Sequence, residues 1–224
     1  MSTGEKRSAI VFCDFDGTIT SVETFVGVLK HFSPVLANEI IPKILAKEIP
    51  LRQGVRQILE SIPSSIYPQQ FLEFVQDKPI RLGLSKLLDY LDSKQIPFVV
   101  VSGGLRCLVE SVLKRENLFE RCAKIYAIDV DTTNEHLKVV SPWESGSELV
   151  AKVDVIQSEC QRNEKVIMIG DSITDLNASK HADIVFARDK LCNYLKEENI
   201  EFIEWTDFED IKTKLQSIEE RFLF

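Results

Sequence analysis

Five short apolar runs, at residues 9–13, 98–101, 124–128, 166–169 and 184–187, most constrain what this chain folds into. They are rich in β-branched residues and do not alternate apolar with polar. As strands they would be buried on both faces. Longer stretches of 3.6-residue period separate them. Leu84, Leu87, Leu88 and Leu91 make one helical face; Leu105, Leu108, Val109 and Val112 make another; Leu149, Val153, Ile156 and Cys160 make a third. A last helix carries Phe208, Ile211, Leu215, Ile218 and Phe222, opened by a Thr206…Glu209 capping box. This alternation predicts an α/β fold, a Rossmann-like parallel sheet covered by helices.

Residues 22–80 break the pattern and read as helical throughout. One segment has Val22, Phe25, Val26 and Leu29. Ser33-Pro34 starts a second with Leu36, Ile40 and Ile44. A third has Leu51, Val55, Ile58, Leu59 and Ile62, and Pro68 starts a fourth with Phe71, Leu72 and Val75. The expected organisation is an α/β core over 1–21 and 81–224 with an all-helical cap inserted at 22–80. The stretch 128–147 is weakly patterned, and 130–135 reads as a turn within a hairpin.

The bulk properties exclude several classes. A net charge of −8 and no basic patch with interleaved aromatics argue against nucleic acid, and Lys6-Arg7 is too small to be an arm. Five widely spaced cysteines, with no CxxC pair, argue against a zinc site and for reduced thiols. No apolar run approaches a membrane span, and the first nine residues lack a signal-peptide core. The expectation is a soluble, cytoplasmic protein without a membrane partner.

Ligands of open α/β sheets bind beyond the carboxyl ends of the strands. After the first run comes Asp14-Phe15-Asp16-Gly17-Thr18; after the second, Ser102-Gly103-Gly104; after the fourth, Gly170-Asp171-Ser172-Ile173-Thr174-Asp175. Lys152 lies on the helix before the fourth run. Two carboxylates at the end of a buried strand need a compensating charge, and a hard cation such as Mg²⁺ prefers oxygen ligands. One Asp can attack phosphorus while the other moves a proton. The Ser102 hydroxyl and the Gly103 N–H, at a helix N-terminus, suit a phosphate. Lys152 would neutralise the phosphoryl oxygens. Asp171 would complete a metal site with Asp14 and the main-chain carbonyl of Asp16, while Asp175 would hold Lys152 or a metal-bound water. Each motif alone is an ordinary turn; their convergence on one sheet edge is not. His31, His136 and His181 have no ligand spacing, with a helix-surface role expected for His181, and Cys13 reads as a buried strand residue.

In order and spacing, these four motifs resemble the haloacid dehalogenase-like phosphohydrolases across the whole chain. The helical insert resembles the cap of the branch that contains phosphoserine phosphatase. The resemblance implies that Asp14 forms an aspartyl-phosphate and that Asp16 protonates the leaving alcohol and then activates water. It also implies Mg²⁺ as cofactor and a small phosphorylated metabolite as substrate, with Thr18 and Asp175 supporting. Within the branch, the sequence from Asp14 to Thr20, Ile96-Pro97-Phe98, Ile167-Met168-Ile169-Gly170-Asp171-Ser172 and Phe186-Ala187-Arg188-Asp189 are similar to the phosphatases of methionine salvage. The stretch 128–152 lacks the cysteine-rich segment of their best-known bacterial members. Glu23 stands where phosphoserine phosphatases keep a cap glutamate, but Ile58 falls near the position of their carboxylate-binding arginine, so phosphoserine is the second reading. Glu23, Arg52 and Arg56 are candidate cap contacts, although a solvated helix face suits the two arginines better. Transfer of the phosphoryl group to an alcohol, as in a phosphotransferase or mutase, stays open at this point.

Overall fold

The structure is a computed structural model that describes residues 8–222, with side chains as far as 218. Lys6-Arg7 and the Phe222 side chain of the expected last helix face lie outside them. The strands are β1 (Ala9–Cys13), β2 (Phe98–Leu105), β3 (Lys124–Asp131), β4 (Lys138–Val140), β5 (Lys165–Gly170), β6 (Ile184–Ala187) and β7 (Ile203–Glu204). They form one seven-stranded sheet ordered β4-β3-β2-β1-β5-β6-β7. All pairs are parallel except β3–β4. β1 is buried along its whole length, as its unbroken apolar sequence requires for a central parallel strand.

Helices α1 (Thr24–Phe32), α2 (Pro34–Leu45), α3 (Leu51–Leu59) and α4 (Gln69–Val75) occupy the stretch between β1 and β2. Pro34 opens α2, where a missing N–H costs nothing. Phe32 of α1 stacks on Phe71 of α4 with ring centroids 4.6 Å apart. The chain leaves and rejoins the sheet through two antiparallel stretches, in which Ser21 N–H donates to Pro79 O and Arg81 N–H to Ile19 O. A second attachment joins the insert to the β3–β4 hairpin, where Ser64 N–H donates to Glu135 O and Leu137 N–H to Ile62 O.

The sheet is flanked by α5 (Leu84–Ser93), α6 (Arg106–Arg115), α7 (Lys152–Glu159), α8 (Leu176–Ser179), α9 (Asp189–Glu197) and α10 (Phe208–Phe222). Several local expectations are corrected. Val22 precedes α1 and is exposed, and Ile62 is buried beyond the end of α3. On α7, Lys152, Val155 and Ile156 are the buried positions; Val153 is half-buried and Leu149 precedes the helix. At α10 the capping shifts by one residue. Asp207 Oδ1 accepts the Asp210 N–H at 2.9 Å, and Asp210 Oδ2 accepts the Thr206 N–H at 3.1 Å. Glu209 pairs with Lys86 instead. An aspartate directly before Phe208 competes better for the cap than a threonine one residue earlier.

Candidate active site

The strand order β2-β1-β5 places the motifs side by side. Cys13 is in register with Val100 of β2 and Ile169 of β5. Asp14, the first residue beyond β1, is thereby fixed between them, and its N–H donates to Ile169 O at 2.9 Å. Lys152 stands in the first turn of α7. Its Nζ lies 2.5 Å from Asp14 Oδ1 and 2.6 Å from Asp175 Oδ1, with all three residues buried. Asp175 Oδ2 accepts the N–H groups of Asp171 and Ser172. The Thr18 hydroxyl donates to Asp171 Oδ1 at 2.8 Å. Residues 15–19 form a wide turn closed by Thr20 N–H on Phe15 O. Gly17 sits there at φ +78°, and a Cβ would stand 2.5 Å from Asp171 Oδ2, so the turn needs glycine on both counts.

Carboxylate oxygens of Asp14, Asp171 and Asp175 lie within 4.8 Å of one another. One ammonium faces three carboxylates, so the ionised cluster carries two uncompensated negative charges in a buried place. Burial, and then the charge of Asp175, push the Asp14 carboxyl well above its ordinary range. The same two causes push Asp171 up to about 6. Burial works to lower the Lys152 ammonium, but Asp14 and Asp175 outweigh it and hold its proton more firmly than usual. A divalent oxygen-seeking cation would supply the missing charge. Both Asp175 oxygens are engaged by Lys152 and by backbone N–H groups, which leaves Asp14 and Asp171 as the side chains with capacity for it.

The Asp16 carboxylate is turned away from that cluster. Its Oδ1 accepts the Thr24 N–H at 2.6 Å, the Thr24 hydroxyl at 2.5 Å and the Phe25 N–H at 3.1 Å, so it binds the first turn of α1. Burial raises its proton affinity against those donors. Oδ2 faces Gly104, where a Cβ would stand 2.8 Å away. With Oδ1 accepting three hydrogen bonds, a proton on this carboxyl would sit on Oδ2. Ser102 Oγ accepts the Gly104 N–H at 3.0 Å. The stretch 102–105 continues β2 past a register shift, and α6 begins only at Arg106. Ser102 and Gly103 therefore do not sit on a helix N-terminus as expected; they line the site from the end of a strand.

Asp14, Asp16, Ser102, Gly103, Gly104 and Lys152 line the floor of a cavity of about 190 Å³. Its walls are apolar: Phe25, Val26 and Leu29 of α1, Ile41 and Ile44 of α2, and Val55 of α3. Glu23 lines its mouth and is open to solvent. Crowding by protein, then the charges of Asp16 and Asp171, push its carboxyl up to about 7. Arg52 and Arg56 are not among the lining residues; both pair with Glu144, and Arg56 also with Glu60, which agrees with a surface role. His181 is exposed with its ring Nδ1 2.9 Å from Asn177 O. Burial, and then Asp14, push the Cys13 thiol up, which suits an inert strand residue. The sequence reading quoted Gly104 in its motif without giving it a role, and it missed Glu148, a half-buried lining carboxylate bonded by Asn177. The doubled glycine after Ser102 was the available signal for the first; nothing local marks the second.

The chain belongs to the haloacid dehalogenase-like hydrolase family, whose model matches residues 11–180. It is 47% identical over 208 residues to the 2-hydroxy-3-keto-5-methylthiopentenyl-1-phosphate phosphatase of Microcystis aeruginosa, covering 93% of this chain and 98% of the relative. The phosphatase of the same name from Bacillus pumilus is 34% identical, with 96% and 94% covered. With these relatives the chain is a phosphoric monoester hydrolase. In fold it is similar to the phosphoserine phosphatase of T. onnurineus, at a TM-score of 0.68 and 15% identity over 94% of this chain and 95% of that one. No helix among the described residues is long and apolar enough to cross a membrane.

Proposed function

We propose that the protein hydrolyses 2-hydroxy-3-keto-5-methylthiopentenyl-1-phosphate, the ester named for its relatives, in the salvage of methionine. The observation that carries this reading is the cavity itself, a charged floor under an apolar wall. A phosphate at one end and an uncharged methylthio tail at the other match the two surfaces. Phosphoserine fits poorly, because its carboxylate would be desolvated without a cationic partner. Among the described residues Lys152 is the only cationic side chain lining the cavity, and it is already committed to Asp14 and Asp175.

Asp14 attacks phosphorus; a P–O bond to the carboxylate forms as the ester P–O bond breaks. Asp16 gives its proton to the departing oxygen. It then takes a proton from a water whose oxygen attacks phosphorus, which breaks the acyl phosphate and restores Asp14. The Ser102 hydroxyl, the Gly103 N–H and Lys152 hold the phosphoryl oxygens. Asp14 and Asp171, with the Asp16 main-chain carbonyl, would hold Mg²⁺, which supplies charge neutralisation for the phosphoryl group. Thr18 and Asp175 orient Asp171 and Lys152. Residues 22–80 act as a cap that excludes water, and Glu23 meets the polar middle of the substrate.

Phosphate release measured with and without Mg²⁺ tests this. Asp14→Asn should lower turnover by at least about 10³-fold. The wild type should prefer the methylthio ester to phosphoserine, and equal rates on the two would overturn the substrate assignment.

A further inference from the structure

Arg81 stands where the insert rejoins the sheet, and nothing in its local sequence marks it as functional. Its guanidinium reaches back onto the turn that follows the two motif aspartates. Nη2 donates to Gly17 O at 2.6 Å and Nε to Thr18 O at 3.1 Å. Its own N–H donates to Ile19 O at 2.8 Å. Three successive carbonyls of the turn are thus held by one residue. The bonds described within the turn lie elsewhere: Thr20 donates its N–H and its hydroxyl to Phe15 O, and Gly17 N–H donates to Thr20 Oγ1. Gly17 and Thr18 are buried, so water is a poor substitute partner. The planar fork of arginine matches two adjacent carbonyls, as a lysine cannot. The guanidinium also lies over the Trp205 ring, 5.7 Å from its centroid, which limits its own freedom.

Fixing the Thr18 backbone fixes its hydroxyl, and that hydroxyl holds Asp171 Oδ1 at 2.8 Å. We infer that Arg81 is a positioning residue that acts through Thr18 to set the Asp171 carboxylate for its cation. This rests on the proposed metal-binding role of Asp14 and Asp171. Groups that orient a metal's ligands contribute to affinity without touching the ion.

The test compares Arg81→Lys, Arg81→Gln, Thr18→Val and the double variant Arg81→Lys/Thr18→Val. Calorimetric titration with Mn²⁺ reads the site without turnover, and circular dichroism melts report the fold. Each single variant should bind Mn²⁺ about 10-fold more weakly. Half-saturating Mg²⁺ in turnover should rise in step, with KM for the ester unchanged at saturating metal. The double variant should be no weaker than the weaker-binding single, because both changes act on one hydroxyl. Wild-type Mn²⁺ affinity in folded Arg81→Lys and Arg81→Gln, or multiplied losses in the double variant, would overturn the inference. A wild type that binds no Mn²⁺ would instead overturn the metal role of Asp14 and Asp171, and this inference with it.

Discussion

Asp171 shows how one side chain ties fold to chemistry. Its carboxyl is pushed up from 3.8 to about 6 by burial and by Asp175. Between those values the folded protein holds a proton that the unfolded chain has released. The group therefore stabilises the fold at low pH, and that contribution is lost as pH rises through about 6. A bound cation takes the proton's place, so it compensates the ionised form. Added Mg²⁺ should raise the melting temperature at pH 7.5 by about 5 °C, at roughly 100 times its dissociation constant. At pH 5 the shift should be smaller, because proton and metal compete. Differential scanning calorimetry at the two pH values checks this, and equal shifts would count against Asp171 as a ligand. Asp14, Asp16, Lys152 and Asp171 were legible in the sequence because their residue types and strand-end positions carry the information. Arg81 and Glu148 were not, since their contacts are with residues far along the chain from them.

At the scale of elements, period and burial were readable wherever a segment was long. The face of α5 stands where the spacing of leucines puts it, and so do Leu108, Val109 and Val112 of α6, whereas Leu105, expected on that face, is the last residue of β2. β4 and β7, of three and two residues, are too short to carry a pattern; β4 was implied only by the hairpin turn before it, and β7 went unseen. The end of β2 misled for another reason. Ser-Gly-Gly reads as a strand-to-helix turn, yet the Ser102 hydroxyl satisfies the Gly104 N–H and the strand runs on to Leu105. The start of α10 gives a direct check on the revised cap. Asp207→Ala should cost about 1 kcal/mol of stability, and Thr206→Ala much less, as read from urea unfolding. The reverse order would restore the original capping box.

For the molecule as a whole, continuous apolar runs specified a parallel sheet but not which strand lies in its middle. That placement has a consequence for how the protein comes apart. Sheets fray from their margins, and here β4 and β7 are the margins, each three strands away from β1. Amides of β1 and β5 should therefore exchange with deuterium only through global opening, while those of β4 and β7 exchange through cheaper local openings. Mass-spectrometric exchange at graded denaturant would show it, and early exchange in β1 would contradict it. Partial damage at either rim would leave the strand-end carboxylates Asp14 and Asp171 side by side, so the proposed activity should persist until the last cooperative unit gives way.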